Sequence, residues 1–193
     1  MKTIAVYSLK GGTGKTITTA TLAHLYAAGS KRQGSVLLVD ADSQGNLSQY
    51  FRRYSKDDSV LHKYLKPPTY EGKRDVTGTD YAYMDILTGG MQLYNDDRAL
   101  FNAGRTDAIQ EILKKIEHTS YNMCIIDCAP ALNMLTINAL CAADYVVIPI
   151  RIDAFSTNGL VELEEQLNGV RKVNNGLQVA GVVITHYQPT SLS

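Results

Sequence analysis

Hydrophobic residues along this chain follow two patterns that alternate from one segment to the next. Short continuous runs such as Val36-Leu37-Leu38-Val39 are typical of strands that are covered on both faces of a sheet. Between these runs, apolar residues recur at helical spacing. The runs predict six strands, the third of them weak, at residues 3–8, 35–40, 91–95, 122–127, 145–150 and 178–185.

Two apolar stripes have the period of an amphipathic helix. The first predicts a helix over residues 107–118, with its apolar positions at Ile109, Ile112, Leu113 and Ile116. The second consists of Leu160, Leu163, Leu167 and Val170. Residues 51–90 lack a clean period, and we predict helical fragments joined by loops there. Strands that alternate with helices indicate an α/β fold with a mostly parallel sheet and helices on both faces.

Composition fits one globular domain spanning residues 1–193, because 45% of the residues are hydrophobic and 20% are charged. No apolar run approaches the roughly 20 residues that a membrane-spanning helix needs. We therefore expect a cytoplasmic protein with no membrane partner. Three cysteines without a CxxC pair suggest neither a disulfide framework nor a zinc site. The 19 basic and 19 acidic residues balance, so any binding of nucleic acid would need a local patch.

A glycine-rich segment directly after the first predicted strand carries the clearest chemistry. It precedes a helix-compatible run at residues 17–28 and reads Lys10-Gly11-Gly12-Thr13-Gly14-Lys15-Thr16. Glycines let several backbone N–H groups face one anion, and the following helix presents its positive end. Lys15 can then reach the β- and γ-phosphates of a nucleotide, and the Thr16 hydroxyl can bind magnesium. The strict phosphate-loop pattern requires glycine at the position of Leu9, so this loop is a variant.

Two aspartates complete the predicted site. Asp40 and Asp127 each end an apolar strand at its carboxyl end, where open α/β sheets bind their ligands. Mg²⁺ prefers oxygen ligands and keeps several waters. We expect both carboxylates to hold magnesium through water, with Thr16 and phosphate oxygens bound directly.

A lysine just before the glycines makes this loop resemble that of the ParA/MinD family of ATPases, a P-loop NTPase type of fold. Residues 36–48 resemble the family's switch I, and residues 124–132 resemble its Walker B strand and switch II. The likeness continues through residues 135–144 and so covers nearly the whole chain. Within the family it is strongest to the ParA-type partition proteins.

The resemblance implies roles that the motifs alone do not. Lys10 would reach across a dimer to the partner's nucleotide, and Asp42 would orient the attacking water. Residues 10–17, which include Ile17, would bind the nucleotide, and Thr185 and His186 would lie near the adenine. The implied cofactors are ATP and Mg²⁺. The implied partners are a second copy of the chain when ATP is bound, a centromere-binding activator protein, and non-specific DNA in the full-length form.

Three departures from the family pattern qualify these expectations. Ser43 stands where proline is usual, so switch I could be looser. Ile17 replaces a second threonine, which removes a hydroxyl near the α-phosphate. We also expect the chain to lack the strand and helices with which the family continues beyond this length. Those elements usually supply part of the adenine pocket and the basic residues that contact DNA.

The same motifs leave other functions open. A MinD-like regulator of a membrane surface would need a C-terminal amphipathic helix, which the interior stripe at residues 160–170 does not provide. A small-molecule kinase or ligase of the superfamily would need a substrate pocket beside the γ-phosphate. An electron carrier of the nitrogenase-iron-protein type would need two suitably placed thiolates, for which Cys128 is the nearest candidate. Basic residues among the tyrosines of residues 50–74 could touch phosphates, although acidic neighbours favour a solvated face.

Overall fold

The computed structural model describes residues 1–29, 35–66, 76–116, 121–151 and 157–187. Strands alternate with single helices before residue 46 and after residue 116, whereas between these positions helices and strands follow in pairs. In chain order the elements are β1 (Lys2–Val6), α1 (Lys15–Gly29), β2 (Ser35–Ala41), α2 (Asn46–Tyr50), α3 (Val60–Leu65), β3 (Thr77–Gly78), β4 (Met84–Leu87), α4 (Leu93–Ala103), α5 (Ala108–Ile116), β5 (Tyr121–Cys128), α6 (Met134–Ala142), β6 (Tyr145–Arg151), α7 (Thr157–Arg171) and β7 (Gln178–Thr185).

Within the described residues, the strands form one seven-stranded sheet in the order β3-β4-β2-β5-β1-β6-β7. Neighbouring strands are parallel except β3, which runs antiparallel to β4. The predicted α/β class with a mostly parallel sheet is therefore confirmed. β1 lies between β5 and β6, so the segment that follows it emerges near the middle of the sheet.

Two hydrophobic cores, one on each face of the sheet, explain the continuous apolar runs. In β2, Leu37 and Val39 pack on the face covered by α3 to α7, while Val36 and Leu38 pack on the face covered by α1 and α2. All four side chains are fully buried. A strand buried on both faces cannot alternate apolar and polar residues, because both sets of side chains leave water.

The weak strand predicted at residues 91–95 is wrong. These residues form a turn that leads into helix α4, which begins at Leu93. The buried side chains Leu93, Asp96 and Leu100 follow helical spacing, and Gly104 ends the helix with φ of 60°. A segment of five residues with two apolar positions is too short to distinguish the two-residue period of a strand from the 3.6-residue period of a helix.

Residues 51–90 contain more strand than predicted. α3 is a helical fragment as expected, but β3 and β4 also lie in this segment, and β4 pairs in parallel with β2. Only four residues long, β4 gives almost no periodic signal, and it includes Asp85, whose Oδ2 accepts a hydrogen bond of 2.6 Å from the Tyr121 hydroxyl. Residues 67–75 of the segment lie outside the described residues.

Edge strand β7 differs from the rest of the sheet. Its bounds match the predicted strand, yet Val182 is 52% exposed and Ile184 is 54% exposed.

The two apolar stripes are buried as their helical spacing predicts. Leu163, Leu167 and Val170 are buried, and so are all four apolar positions of α5. The side chain of Leu160 and residues 117–118 lie outside the description. The three cysteines are free and buried, and no described helix is long and apolar enough to cross a membrane.

Candidate nucleotide-binding site

The predicted site residues lie together at the carboxyl ends of neighbouring parallel strands. In the register of the sheet, Asp127 of β5 is paired with Val6 at the end of β1 on one side and with Asp40 of β2 on the other. The glycine-rich segment leaves the same end of β1 and enters α1 at Lys15. The sheet topology therefore brings together residues that are far apart in the chain.

These elements surround an open cleft with a volume of about 450 Å³. That volume lies within the usual range of pockets for small ligands, roughly 300–1,000 Å³. The phosphate loop, switch I, switch II and the end of β7 all contribute to it. Its lining residues are Gly11, Gly12, Gly14, Lys15, Thr16, Ile17, Asp42, Gln44, Asn46, Pro130 and His186.

Two glycines of the phosphate loop adopt backbone conformations that other residues avoid. Gly12 has φ of 71° and Gly14 has φ of 84°. Gly14 is also confined by its neighbours, because a Cβ there would lie 3.2 Å from Cγ2 of Thr185. Around Gly12 there is open space within 4 Å of a Cβ position, so conformation and not crowding requires the glycine. The loop can therefore direct backbone N–H groups into the cleft.

The two lysines of the loop are placed differently. Lys15 is 8% exposed, lines the cleft and donates from Nζ to the carbonyl oxygen of Lys10 over 3.0 Å. Burial lowers the pKa of Lys15, an effect that nearby Asp127 opposes. Since an ammonium group has three donors, two remain for phosphate oxygens. Lys10 itself is exposed, and so is Ile17.

Thr16 at the start of α1 is bound to Asp127. Its hydroxyl donates to Oδ2 of Asp127 over 2.7 Å, and the hydroxyl of Thr19 lies 3.3 Å from Oδ1 of the same carboxylate. Because the Thr16 proton points to Asp127, the lone pairs of the hydroxyl oxygen are left for a cation. This arrangement fits the predicted roles of both residues at a magnesium ion.

Asp40 is bonded to switch I more extensively than the sequence suggested. Its Oδ2 accepts hydrogen bonds from the backbone N–H of Ser48 over 2.8 Å and from the Ser48 hydroxyl over 2.6 Å. The backbone N–H of Asp42 lies 3.3 Å from its Oδ1. Asp40 thus holds the loop in place, and its expected contact with magnesium through water stays a prediction.

Asp42 lies at the cleft. The residue is 7% exposed, and its Oδ1 accepts a hydrogen bond of 2.9 Å from the backbone N–H of Gln44. This bond fixes the orientation of the side chain within switch I. The carboxylate keeps further acceptor capacity for a water molecule.

Three aspartates and one lysine are buried close together at the site. Asp42 and Lys15 line the cleft, and Asp40 and Asp127 are buried near enough to interact with them electrostatically. Desolvation raises the pKa of Asp127 to about 8 and that of Asp40 to about 6, and repulsion between the two carboxylates adds to the effect at Asp127. Among the described residues, no group of three acidic, histidine or cysteine side chains could hold a metal unaided. A cation here would need phosphate oxygens and water as further ligands, as Mg²⁺ does.

The two residues expected near the adenine face different ways. His186 lines the cleft, in a left-handed conformation with φ of 54°. Thr185 instead directs its hydroxyl to the phosphate loop, where Oγ1 lies 2.8 Å from the carbonyl oxygen of Thr13. Of this pair, only His186 lines the cleft, and the expected contact of either residue with adenine stays a prediction.

Sequence reasoning missed two residues that support switch I. Ser48 Oγ accepts a hydrogen bond of 2.9 Å from the backbone N–H of Gly89, in addition to donating to Asp40. A Cβ on Gly89 would lie 2.6 Å from the carbonyl oxygen of Asp40 and 2.8 Å from that of Asp42. The Gly89-Gly90 pair after a short apolar run was the signal that could have revealed this close approach.

Two of the basic residues near the tyrosines, Arg53 and Lys63, form ion pairs with acidic side chains. The guanidinium of Arg53 contacts Asp80, and the ammonium of Lys63 lies 2.5 Å from a carboxylate oxygen of Asp58. These pairs favour the solvated face over a phosphate-binding patch.

A strand, a glycine loop and a helix with a buried aspartate beside the first helical turn define a P-loop nucleotide-binding protein. A sequence model of a family described as an AAA domain matches residues 1–179. The chromosome partitioning protein ParA of Caulobacter vibrioides is 33% identical over 196 residues, which cover 97% of this chain and 70% of that protein. The chain belongs to the ParA/MinD-type family of P-loop ATPases.

Solved structures agree with this assignment. Apo McdA from Cyanothece has a TM-score of 0.86 at 26% identity, and the alignment covers 100% of this chain and 75% of that one. Cobyrinic acid a,c-diamide synthase from Mycobacterium smegmatis, with a bound ATP analog and magnesium, has a TM-score of 0.87 at 29% identity, covering 99% and 77% of the two chains. Nucleotide and magnesium binding is thus observed among its structural relatives.

Proposed function

We propose that this protein binds Mg-ATP, dimerises in response and hydrolyses the nucleotide slowly, as a switch in the partitioning of DNA of a plasmid, chromosome or mobile element. The observation that carries the proposal is the convergence of Lys15, Thr16 and the buried Asp127 at the mouth of the glycine loop. Lys15 and the loop N–H groups would bind the phosphates. Thr16, Asp40 and Asp127 would hold magnesium, which supplies charge neutralisation on the transferring phosphoryl group.

Asp42 is the residue that we assign to hydrolysis. Phosphoryl transfer asks a protein mainly to position the nucleophile and stabilise charge. Asp42 lines the cleft, and its bond to the N–H of Gln44 fixes the carboxylate at switch I. From there it would accept a hydrogen bond from water and orient it toward the phosphate.

Dimerisation is assigned to Lys10. Lys15 lines the cleft of its own subunit, whereas Lys10 is exposed and contributes its backbone carbonyl to Lys15. Two nucleotide-loaded subunits that face each other would repel, and a lysine from each side would offset that repulsion. Hydrolysis would then depend on the dimer, because the trans lysine neutralises charge in the transition state.

Sedimentation tests this assignment directly. Wild type should be monomeric with ADP and dimeric with a non-hydrolysable ATP analogue, while Lys10→Ala should bind the analogue, stay monomeric and fail to hydrolyse ATP. Lys114→Ala, which removes an exposed lysine of α5, is the matched control and should dimerise. Equal dimerisation of Lys10→Ala and wild type, or a monomeric wild type with the analogue, would contradict the switch.

Measurements of ATP turnover test the proposed role in DNA partitioning. Turnover should rise with DNA and rise further when a centromere-binding protein from a neighbouring gene is added, since the family relationship to ParA favours both partners.

A small-molecule ligase is the second candidate. It is favoured by the structural likeness to cobyrinic acid a,c-diamide synthase. The cleft residues come from the glycine loop, the switch regions and the end of β7, and a ligase would need a further substrate pocket beside the γ-phosphate. ATP turnover that requires a carboxylic acid together with a nitrogen donor such as ammonia, yields the amide, and does not respond to DNA or a protein activator would favour this alternative.

A further inference from the structure

The Thr13–Gly14 peptide of the phosphate loop is held from outside the loop. The Thr185 hydroxyl, at the carboxyl end of β7, donates to the carbonyl oxygen of Thr13 over 2.8 Å. These two residues are separated by 172 positions in the sequence. The contact therefore links the edge strand of the sheet to the centre of the loop.

The bond determines the direction of a neighbouring N–H group. In a trans peptide the carbonyl and the N–H of one unit point in opposite directions. When Thr185 draws the Thr13 carbonyl toward β7, the N–H of Gly14 is turned the other way. Gly14 lines the cleft, so the contact favours an N–H that is available to an anion there.

The other contacts of Thr13 reinforce this orientation. The residue is 3% exposed, and its Oγ1 lies 2.5 Å from Oγ of Ser8 and 3.3 Å from the carbonyl oxygen of Lys10. The side chain is thus bonded within the loop, and its backbone carbonyl is bonded to β7. The methyl group of Thr185 also faces Gly14, where a Cβ would approach it to 3.2 Å.

Alternative partners of Thr185 do not remove the link. Its hydroxyl lies 3.0 Å from the carbonyl oxygen of Ile150, and Nδ1 of His186 lies 3.3 Å from the same hydroxyl oxygen. The single hydroxyl proton is shared between the carbonyl oxygens of Thr13 and Ile150, and the distance to Thr13 is the shorter of the two. An Nδ1–H of His186 can donate to the Thr185 oxygen at the same time.

We propose that Thr185 is a positioning residue that orients the Thr13–Gly14 peptide for the phosphates of the nucleotide, and does not contact the adenine. The inference rests on the proposed binding of nucleotide at this cleft. It assigns to β7 a role in phosphate binding that its position at the edge of the sheet does not suggest.

Binding of Mg-ADP and Mg-pyrophosphate to wild type, Thr185→Val and Thr185→Ser tests the proposal. Thr185→Val keeps the shape of the side chain but loses the donor, so its affinity for both ligands should fall about fivefold, the effect of one neutral hydrogen bond. Thr185→Ser keeps the donor and should bind both ligands as wild type does. Loss of this hydrogen bond should also lower the melting temperature of ligand-free Thr185→Val by a few degrees, so binding is measured at a temperature where all three proteins are folded. Val183→Ala, on the same strand, controls for perturbation of β7.

The outcomes separate this proposal from the function on which it rests. Wild type that binds no Mg-ADP would contradict the proposed function itself. If wild type binds Mg-ADP and Thr185→Val binds both ligands as tightly as wild type does, the positioning role is wrong. A loss for Mg-ADP without a loss for pyrophosphate would assign Thr185 to the base and overturn the proposal.

Discussion

The phosphate loop and switch I lie on the same cleft but are held in place by different means. The loop depends on backbone geometry, with two glycines at positive φ and a buried Thr13 bonded on several sides. Switch I depends on the side chains of Asp40 and Ser48, which bond its backbone to β2 and to Gly89. Nucleotide binding should therefore withstand changes in switch I that reduce turnover.

Lys15→Ala should have the largest effect, because the variant removes the buried cation of the loop. We expect Mg-ADP affinity to fall roughly a hundredfold, as when one partner of a buried charged pair is lost. Isothermal titration calorimetry measures this, with Lys114→Ala as the control lysine. An affinity within about threefold of wild type would contradict the phosphate-loop assignment.

Asp42→Ala should separate binding from turnover. We expect hydrolysis to fall about a hundredfold, the usual contribution of a group that orients or activates the nucleophile. Affinity for Mg-ADP should stay close to that of wild type, because the loop is unchanged. Steady-state hydrolysis and calorimetry on one preparation give both values.

Asp42→Asn is the matched variant for the same site. It keeps an oxygen for the N–H of Gln44 but loses the charge. Activity recovered in Asp42→Asn would show that Asp42 acts through loop structure. If Asp42→Asn is as inactive as Asp42→Ala, the loss of hydrolysis is due to the missing negative charge of the carboxylate.

Ser48→Ala should have a smaller and more structural effect. It removes the hydroxyl that donates to Asp40 and accepts from Gly89. The free energy of unfolding should fall by about 2 kcal/mol, the cost of leaving buried polar groups unpaired. Turnover should fall more than Mg-ADP affinity. Ser43→Ala, at the other serine of switch I, is the control, and equal losses in the two variants would contradict the special role of Ser48.

The smallest expected effect is that of pH on Mg-ADP binding. Burial raises the pKa of Asp127 and Asp40, so protons compete with magnesium for these carboxylates. Affinity should rise by about threefold to tenfold as the pH increases from about 6 to about 8, since the charged form is the one that binds metal. Mg-free ADP serves as the control. A flat profile with magnesium would show that neither carboxylate titrates in this range.

Elements with strong local signals were the ones that could be predicted. β2 and α5 have long apolar patterns, and the structure places them within two residues of the expected bounds. β4 could not be found, because four residues with an internal aspartate resemble a loop until they are paired with β2. The start of α4 was mistaken for a strand because Leu93 and Met91 alternate with polar residues over too short a span.

The candidate site divides in the same way. Gly12, Gly14 and Lys15 lie in one contiguous segment. Their residue types alone indicate that the backbone adopts positive φ and that the loop carries a cation. Ser48, Gly89 and Thr185 act through partners that are distant in the sequence. Their contribution depends on register and sheet order, which local patterns do not encode.

The sequence by itself determined the α/β class, the phosphate loop and the aspartates at the ends of β2 and β5, because each depends on residue type and local spacing. Only the tertiary structure decided which groups bond to those aspartates and which strand supports the loop. Asp40 serves switch I through Ser48, and Thr185 turns to Thr13, because parallel pairing brings the carboxyl ends of β2, β4, β6 and β7 to one edge. Hydrogen bonds across that edge join residues that no local pattern relates.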